Sequence, residues 1–132
     1  MSKSFTAALT LSSQTLFPQS ATVVANLTQT VSGSAGFDIL IVSQSSVKNI
    51  YKAVEADASS TVYFYAQALS TNPSTLTLSI TGSDNSSSSI VRLRPGDMTY
   101  IPLNATSANL EVNCVNAATS SQNIYVFYGQ RS

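Results

Sequence analysis

Thr75-Leu76-Thr77-Leu78-Ser79-Ile80-Thr81 alternates apolar and hydroxyl side chains without a fault. Successive side chains of a β-strand point to opposite faces, so this stretch predicts a strand with one buried and one wet face. The same grammar extends downstream. Ile90-Val91-Arg92-Leu93-Arg94 runs into Pro95-Gly96-Asp97 and then Met98-Thr99-Tyr100-Ile101. Proline presets the first corner of a turn and glycine accepts positive φ at the second, which predicts strand, sharp corner, strand. Pro102 has no N–H to offer a ladder, so it stops regular pairing or marks an edge.

Working outward, Thr61-Val62-Tyr63-Phe64-Tyr65-Ala66 is aromatic and β-branched, Asn72-Pro73-Ser74 is a turn, and residues 82–89, from Gly82 through the serines, form a loop. Two last strands near 109–115 and 122–129 carry Leu110, Val112, Cys114 and Ile124, Val126, Tyr128. Near the start, Phe5, Ala7, Leu9 and Leu11 alternate, and Ser12 to Ser20 reads as a loop or an arm lying against something. A second strand spans 21–30, and Ser32-Gly33-Ser34-Ala35-Gly36 predicts a turn. Phe37-Asp38-Ile39-Leu40-Ile41-Val42 is nearly continuous in apolar residues, as in strands covered on both faces inside a sheet or at a subunit contact. Residues 47–58 fit a helical stripe (Val47, Ile50, Tyr51, Val54) as well as alternation (Ile50, Lys52, Val54, Ala56); the β surroundings favour strand.

About eight to ten short strands without a convincing helix predict an all-β antiparallel sandwich of jelly-roll type, two four-stranded sheets plus an N-terminal extra strand. The alternative is an immunoglobulin-like sandwich, but the chain has neither a cysteine pair nor a tryptophan for such a core. Residues 1–20 form an N-terminal strand and arm, and 21–132 a single β-sandwich domain, in line with a length of 132 residues.

Composition narrows the function. Ser, Thr, Asn and Gln make up 54 of 132 residues, and the charges are six of each sign. Disorder needs weak hydrophobicity and high net charge, and neither holds. Nucleic-acid binding needs an excess of Lys and Arg to displace counterions, which the matched charges do not supply. No segment approaches the roughly 20 apolar residues of a membrane span. The first 20 residues hold no apolar run long enough for a signal peptide, so synthesis in a cytoplasm is expected. The sequons at Asn26, Asn85 and Asn104 are what chance produces in such a composition.

Chemistry is poorly provided for. Without histidine, acid–base work falls to Asp38, Glu55, Asp57, Asp84, Asp97 and Glu111. Glu55 and Asp57 would share a strand face, as a paired carboxylate site requires, but a solvated strand end running into Ala58-Ser59-Ser60 is the favoured account. No imidazole is present to activate a serine, and one thiol, Cys114, cannot make an intramolecular disulfide or a zinc site. Cys114 continues the Leu110, Val112 alternation and reads as a small core residue. Arg92 and Arg94 project from one face, either paired with Asp97 or docking on a neighbour's acids. No catalytic, cofactor or metal residue is therefore expected, and the chain is predicted not to be an enzyme. A neutral skin of small hydroxyl and amide groups suits protein contacts, because identical copies meet without charge repulsion.

The segment from Val91 to Leu103, with its Pro95-Gly96-Asp97 corner, and the closing strand Ile124-Tyr125-Val126-Phe127-Tyr128-Gly129 resemble the small β-sandwich structural proteins of tailed bacteriophage virions, of the capsid cement or decoration type. The likeness covers the pattern from Tyr63 onward. It implies a non-enzymatic virion component that associates with itself, often as a trimer, and binds a major capsid protein to strengthen the shell, with the N-terminal arm taking part. It carries over no binding residue. The competing readings are a lectin-like carbohydrate-binding module, which would show an exposed aromatic platform, and a phage fibre or adhesin subunit.

Overall fold

The computed structural model describes residues 3–13, 21–53, 60–81, 87–105 and 110–131. Nine strands account for most of them: β1 (Lys3–Ser13), β2 (Ala21–Val42), β3 (Ser46–Lys52), β4 (Ser60–Ala68), β5 (Leu76–Thr81), β6 (Ser87–Leu93), β7 (Met98–Ala105), β8 (Glu111–Asn116) and β9 (Gln122–Arg131). They form a five-stranded sheet in the order β1-β2-β9-β4-β7 and a four-stranded sheet in the order β3-β8-β5-β6, with every pairing antiparallel. The pairs β2–β9, β3–β8, β4–β7 and β5–β6 nest one inside the next, as in a long hairpin rolled up on itself. That is the jelly roll, with β1 added outside β2, and it is not the strand order of an immunoglobulin domain.

Alternation builds the core. Leu76 and Leu78 of β5, Val112 and Cys114 of β8, and Leu93 of β6 meet Val62, Phe64 and Ala66 of β4 and Ile124 and Val126 of β9 between the sheets, all of them buried. Burying each large apolar side chain stabilises the fold by roughly 1.5–3 kcal/mol. Cys114 lies in this layer, as its alternation predicts.

The Pro95-Gly96 corner forms as expected: Gly96 has φ 91°, the Asp97 N–H donates to the Arg94 carbonyl at 2.9 Å, and the Asp97 carboxylate accepts the Arg94 N–H at 3.0 Å. Pro102 lies on an edge strand, β7, but pairing continues past it to Ala105.

Two expectations need correction. Ser32–Gly36 makes no turn: β2 runs straight through it, with a register irregularity between Val31 and Ala35 where its partner changes from β1 to β9. Gly36 is there for close approach, since a Cβ on it would stand 2.5 Å from the Tyr128 ring. Serines 87–89 belong to β6 and pair with residues 79–81 of β5, and Ile90 is the extra residue of a bulge beside Ser79. The ambiguous stripe after residue 46 is strand as far as Lys52, as the β surroundings favoured. It looked helical because a bulge inserts Ile50 between Asn49 and Tyr51, so that two neighbouring residues are both buried. Val54, Glu55, Ala56 and Asp57 lie outside the described residues, as do Asp84 and the arm segment 14–20.

β1 and the first half of β2 form a two-stranded ribbon, in register from Lys3↔Val31 to Ser13↔Ala21. β9 covers β2 only from Val31 onward. Beyond isolated contacts, β1 lies against β2 alone.

Candidate interaction surface

The two outward faces of the sandwich differ in kind. On the four-stranded sheet the register aligns Lys52 with Glu111 and Thr81, and Asn49 with Asn113 and Ser79. Lys52 and Glu111 form an exposed ion pair at 3.2 Å, and the Asn49 amide donates to the Asn113 side-chain oxygen at 3.1 Å. Beside these polar pairs the face exposes Val47, which the register sets next to Val115.

The five-stranded sheet turns a different chemistry outward. Its register places Phe37 beside Phe127, Ile39 beside Tyr125, Tyr65 between Phe127 and Tyr100, and Gln67 between Tyr125 and Met98. Phe37 and Tyr125 stack at 6.1 Å, and Tyr63 and Tyr100 at 6.2 Å with nearly parallel rings. Exposure is high for large apolar groups: Phe37 68%, Ile41 61%, Met98 58% and Ile39 47%. Segments 37–41, 61–67, 98–104 and 123–129 contain one charged residue, Asp38. It alternates to the opposite face, where its carboxylate accepts the Ile39 N–H at 2.8 Å. Across these segments the outward face carries no charged residue and is continuous in aromatic and aliphatic surface over β2, β9, β4 and β7. Desolvation raises the pKa of Tyr65, and that of Tyr100 with a further contribution from Tyr63, so both phenols stay protonated. Tyr65 donates its hydroxyl to Gln67 at 2.8 Å. Contiguous apolar patches of this kind mark contact sites.

The ribbon adds a second unpartnered surface. Leu9 is 48% exposed and Leu11 57%, with Leu27 exposed on the same side of the facing strand. Thr6 and Thr28 bond hydroxyl to hydroxyl across the other side at 2.9 Å.

A shallow groove of about 440 Å³ is bordered by Ser74, Thr75, Thr77, Arg92 and Arg94. The expected pairing of these arginines with Asp97 does not form: Asp97 turns its carboxylate to the backbone N–H of Arg94, and the described residues include no acid within ion-pair distance of either guanidinium.

The remaining sequence candidates are dispersed. Glu111 is engaged by Lys52, and Asp38 and Asp97 cap backbone N–H groups. Among the described residues no three of His, Cys, Asp and Glu gather as a metal site would require, and no helix is long and apolar enough to cross a membrane. Burial pushes the Cys114 thiol up to about 12. Sequence reasoning passed over the buried amides. Asn116 donates to the carbonyls of Val42, Ser43 and Ser120 and accepts from Ala118 N–H and the Gln122 amide. Asn72 imitates a paired strand by donating to Asn123 O and accepting from Asn123 N. The signal was present: Asn116 continues the inward phase of Leu110, Val112 and Cys114.

No family model matches the chain, and no curated protein matches it. A solved chain from the work reported as "Bacillus endospore appendages form a novel family of disulfide-linked pili" aligns over 75% of this chain and 88% of its own, with 7% identity and a TM-score of 0.49.

Proposed function

We propose that this chain is a non-enzymatic structural protein that works by assembling, and specifically a virion component of the capsid cement or decoration type. The observation that carries the reading is the charge-free aromatic and aliphatic face of the five-stranded sheet. Large exposed apolar surface is costly in water, and a face without charge lets identical or neutral partners close over it without desolvating ions. Jelly rolls serve in viral capsids, and the pattern around Pro95–Asp97 and the closing strand resembles that group. In this reading the protein is made in the host cytoplasm, associates with copies of itself, and binds a major capsid protein. The groove with Arg92 and Arg94 suits that second contact, because two unpaired guanidinium groups beside hydroxyls can hold carboxylates. The test is light scattering together with co-sedimentation on purified shells from the source. A multiple of the monomer mass and saturable binding are expected; a strict monomer that ignores the shells overturns the proposal.

A second reading has a specific observation behind it. Tyr65, Tyr100 and Tyr125 lie on an outward sheet face beside Gln67 and Asn123, a platform on which a sugar ring could stack while the amides bond its hydroxyls. Saturable binding on a glycan array, abolished by Tyr125→Ala, would favour it over the assembly role.

A further inference from the structure

We infer that the apolar side of the β1–β2 ribbon of one copy lies on the outward face of the five-stranded sheet of a second copy. This rests on the assembly reading above and names the segment that fills its surface.

The ribbon needs a support. Two strands alone are marginal in water, and this pair has both of its described faces exposed, with Leu9, Leu11 and Leu27 uncovered. Its own sheet face cannot supply that support. Leu9 pairs with Ala25, fourteen residues before Ile39 along the continuous strand β2, and at about 3.3 Å per residue this places them on the order of 46 Å apart. A second copy offers a face of the right kind, apolar and without charge.

The face limits the overlap. Eleven residues of β1 make a strip about 36 Å long and, for two strands, about 10 Å wide. The four covered strands present a face about 19 Å across and about 17 Å along the strands. The strip overlaps that face over about 190 Å². A copy that gives its ribbon and receives another therefore commits on the order of 400 Å² through two contacts, about half the ~800 Å² per partner of stable complexes, and the assembly depends on each copy making both. Such a contact joins two different surfaces, so it closes into a ring when the rotation closes and otherwise propagates as a filament.

The test is a charge exchange in the full chain, read by light scattering, with circular dichroism and the thermal midpoint confirming the sandwich. Leu9→Lys with Leu11→Lys alters only the ribbon, and Phe37→Asp with Ile39→Asp only the sheet face. All four sites are exposed, so the fold is expected to persist. Each variant alone should lose the oligomer, and an equimolar mixture should regain it, because lysine ribbons then meet aspartate faces and unaltered ribbons meet unaltered faces. If the ribbon variant stays oligomeric, or the mixture stays monomeric, the inference is overturned while the assembly reading stands. If the unaltered chain is itself a monomer, the assembly reading fails and this inference falls with it.

Discussion

Replacing Asn116 by leucine keeps the side-chain volume roughly constant and removes five hydrogen bonds at once. Two of them, to Val42 O and from the Gln122 amide, are fully buried, so water cannot take the place of the lost partner. Gln122 then keeps only a long 3.4 Å contact to Thr75 O for its amide, while its side-chain oxygen still accepts Ser74 N–H at 3.1 Å. An orphaned buried group costs about 1–3 kcal/mol, and the part-buried carbonyls somewhat less because solvent reaches them. Burying leucine recovers about 1.5–3 kcal/mol. The expected net loss is about 2–3 kcal/mol. With an unfolding entropy of about 2.1 cal/mol/K per residue, that lowers Tm by about 7–11 °C for this chain. Urea titrations of wild type and Asn116→Leu at equal concentration, with calorimetry alongside, measure both quantities. A loss below about 0.5 kcal/mol would refute the idea that this amide knot ties the β2–β3 and β8–β9 connections together.

Gly36→Ala drives a methyl into the Tyr128 ring, which itself packs on Tyr51 at 5.0 Å, and should destabilise by about 1–3 kcal/mol in a denaturant titration. Gly96→Ala makes only an ordinary contact with Ser70 Cβ at 3.9 Å but keeps a φ of 91°, so its cost is backbone strain alone, about 1 kcal/mol, measured in the same way. For Cys114 the folded pKa, about 12, lies above the ordinary 9.0, so the unfolded chain loses its proton first. Its contribution is complete below pH 9 and is lost as pH rises toward 12, by about 1.4 kcal/mol per unit. Wild type should therefore lose stability between those values faster than Cys114→Ala; equal slopes would show a thiol open to solvent. Arg92→Glu with Arg94→Glu should leave Tm unchanged, since neither guanidinium is paired, while shell binding falls at least tenfold and wild-type binding weakens with salt.

The architecture was legible because single-sided strands announce themselves. Leu76–Ile80 and Leu110–Cys114 have one apolar phase each, and the Pro95-Gly96 corner has a chemistry with one reading. Ser32–Gly36 misled because glycine and serine mark both turns and places where a backbone must pass close under a ring, and only the position of Tyr128 separates the two. The interaction surface was half legible. The apolar run Phe37–Val42 pointed to a second covered face, but strands apolar on both phases do not reveal their neighbours. Phe37, Tyr125, Tyr65 and Tyr100 become one surface only through the register of four strands drawn from both ends of the chain.

That register also sets an order of events. The ribbon closes through contacts local in sequence, so it can form early in synthesis, whereas β2 must wait for β9, which pairs Val42 with Gln122 and Gly36 with Tyr128. The aromatic face does not exist until the last strand has left the ribosome and slotted between β2 and β4. In the proposed assembly a nascent chain could offer its arm but not yet accept one, so topology would defer assembly until β9 is in place.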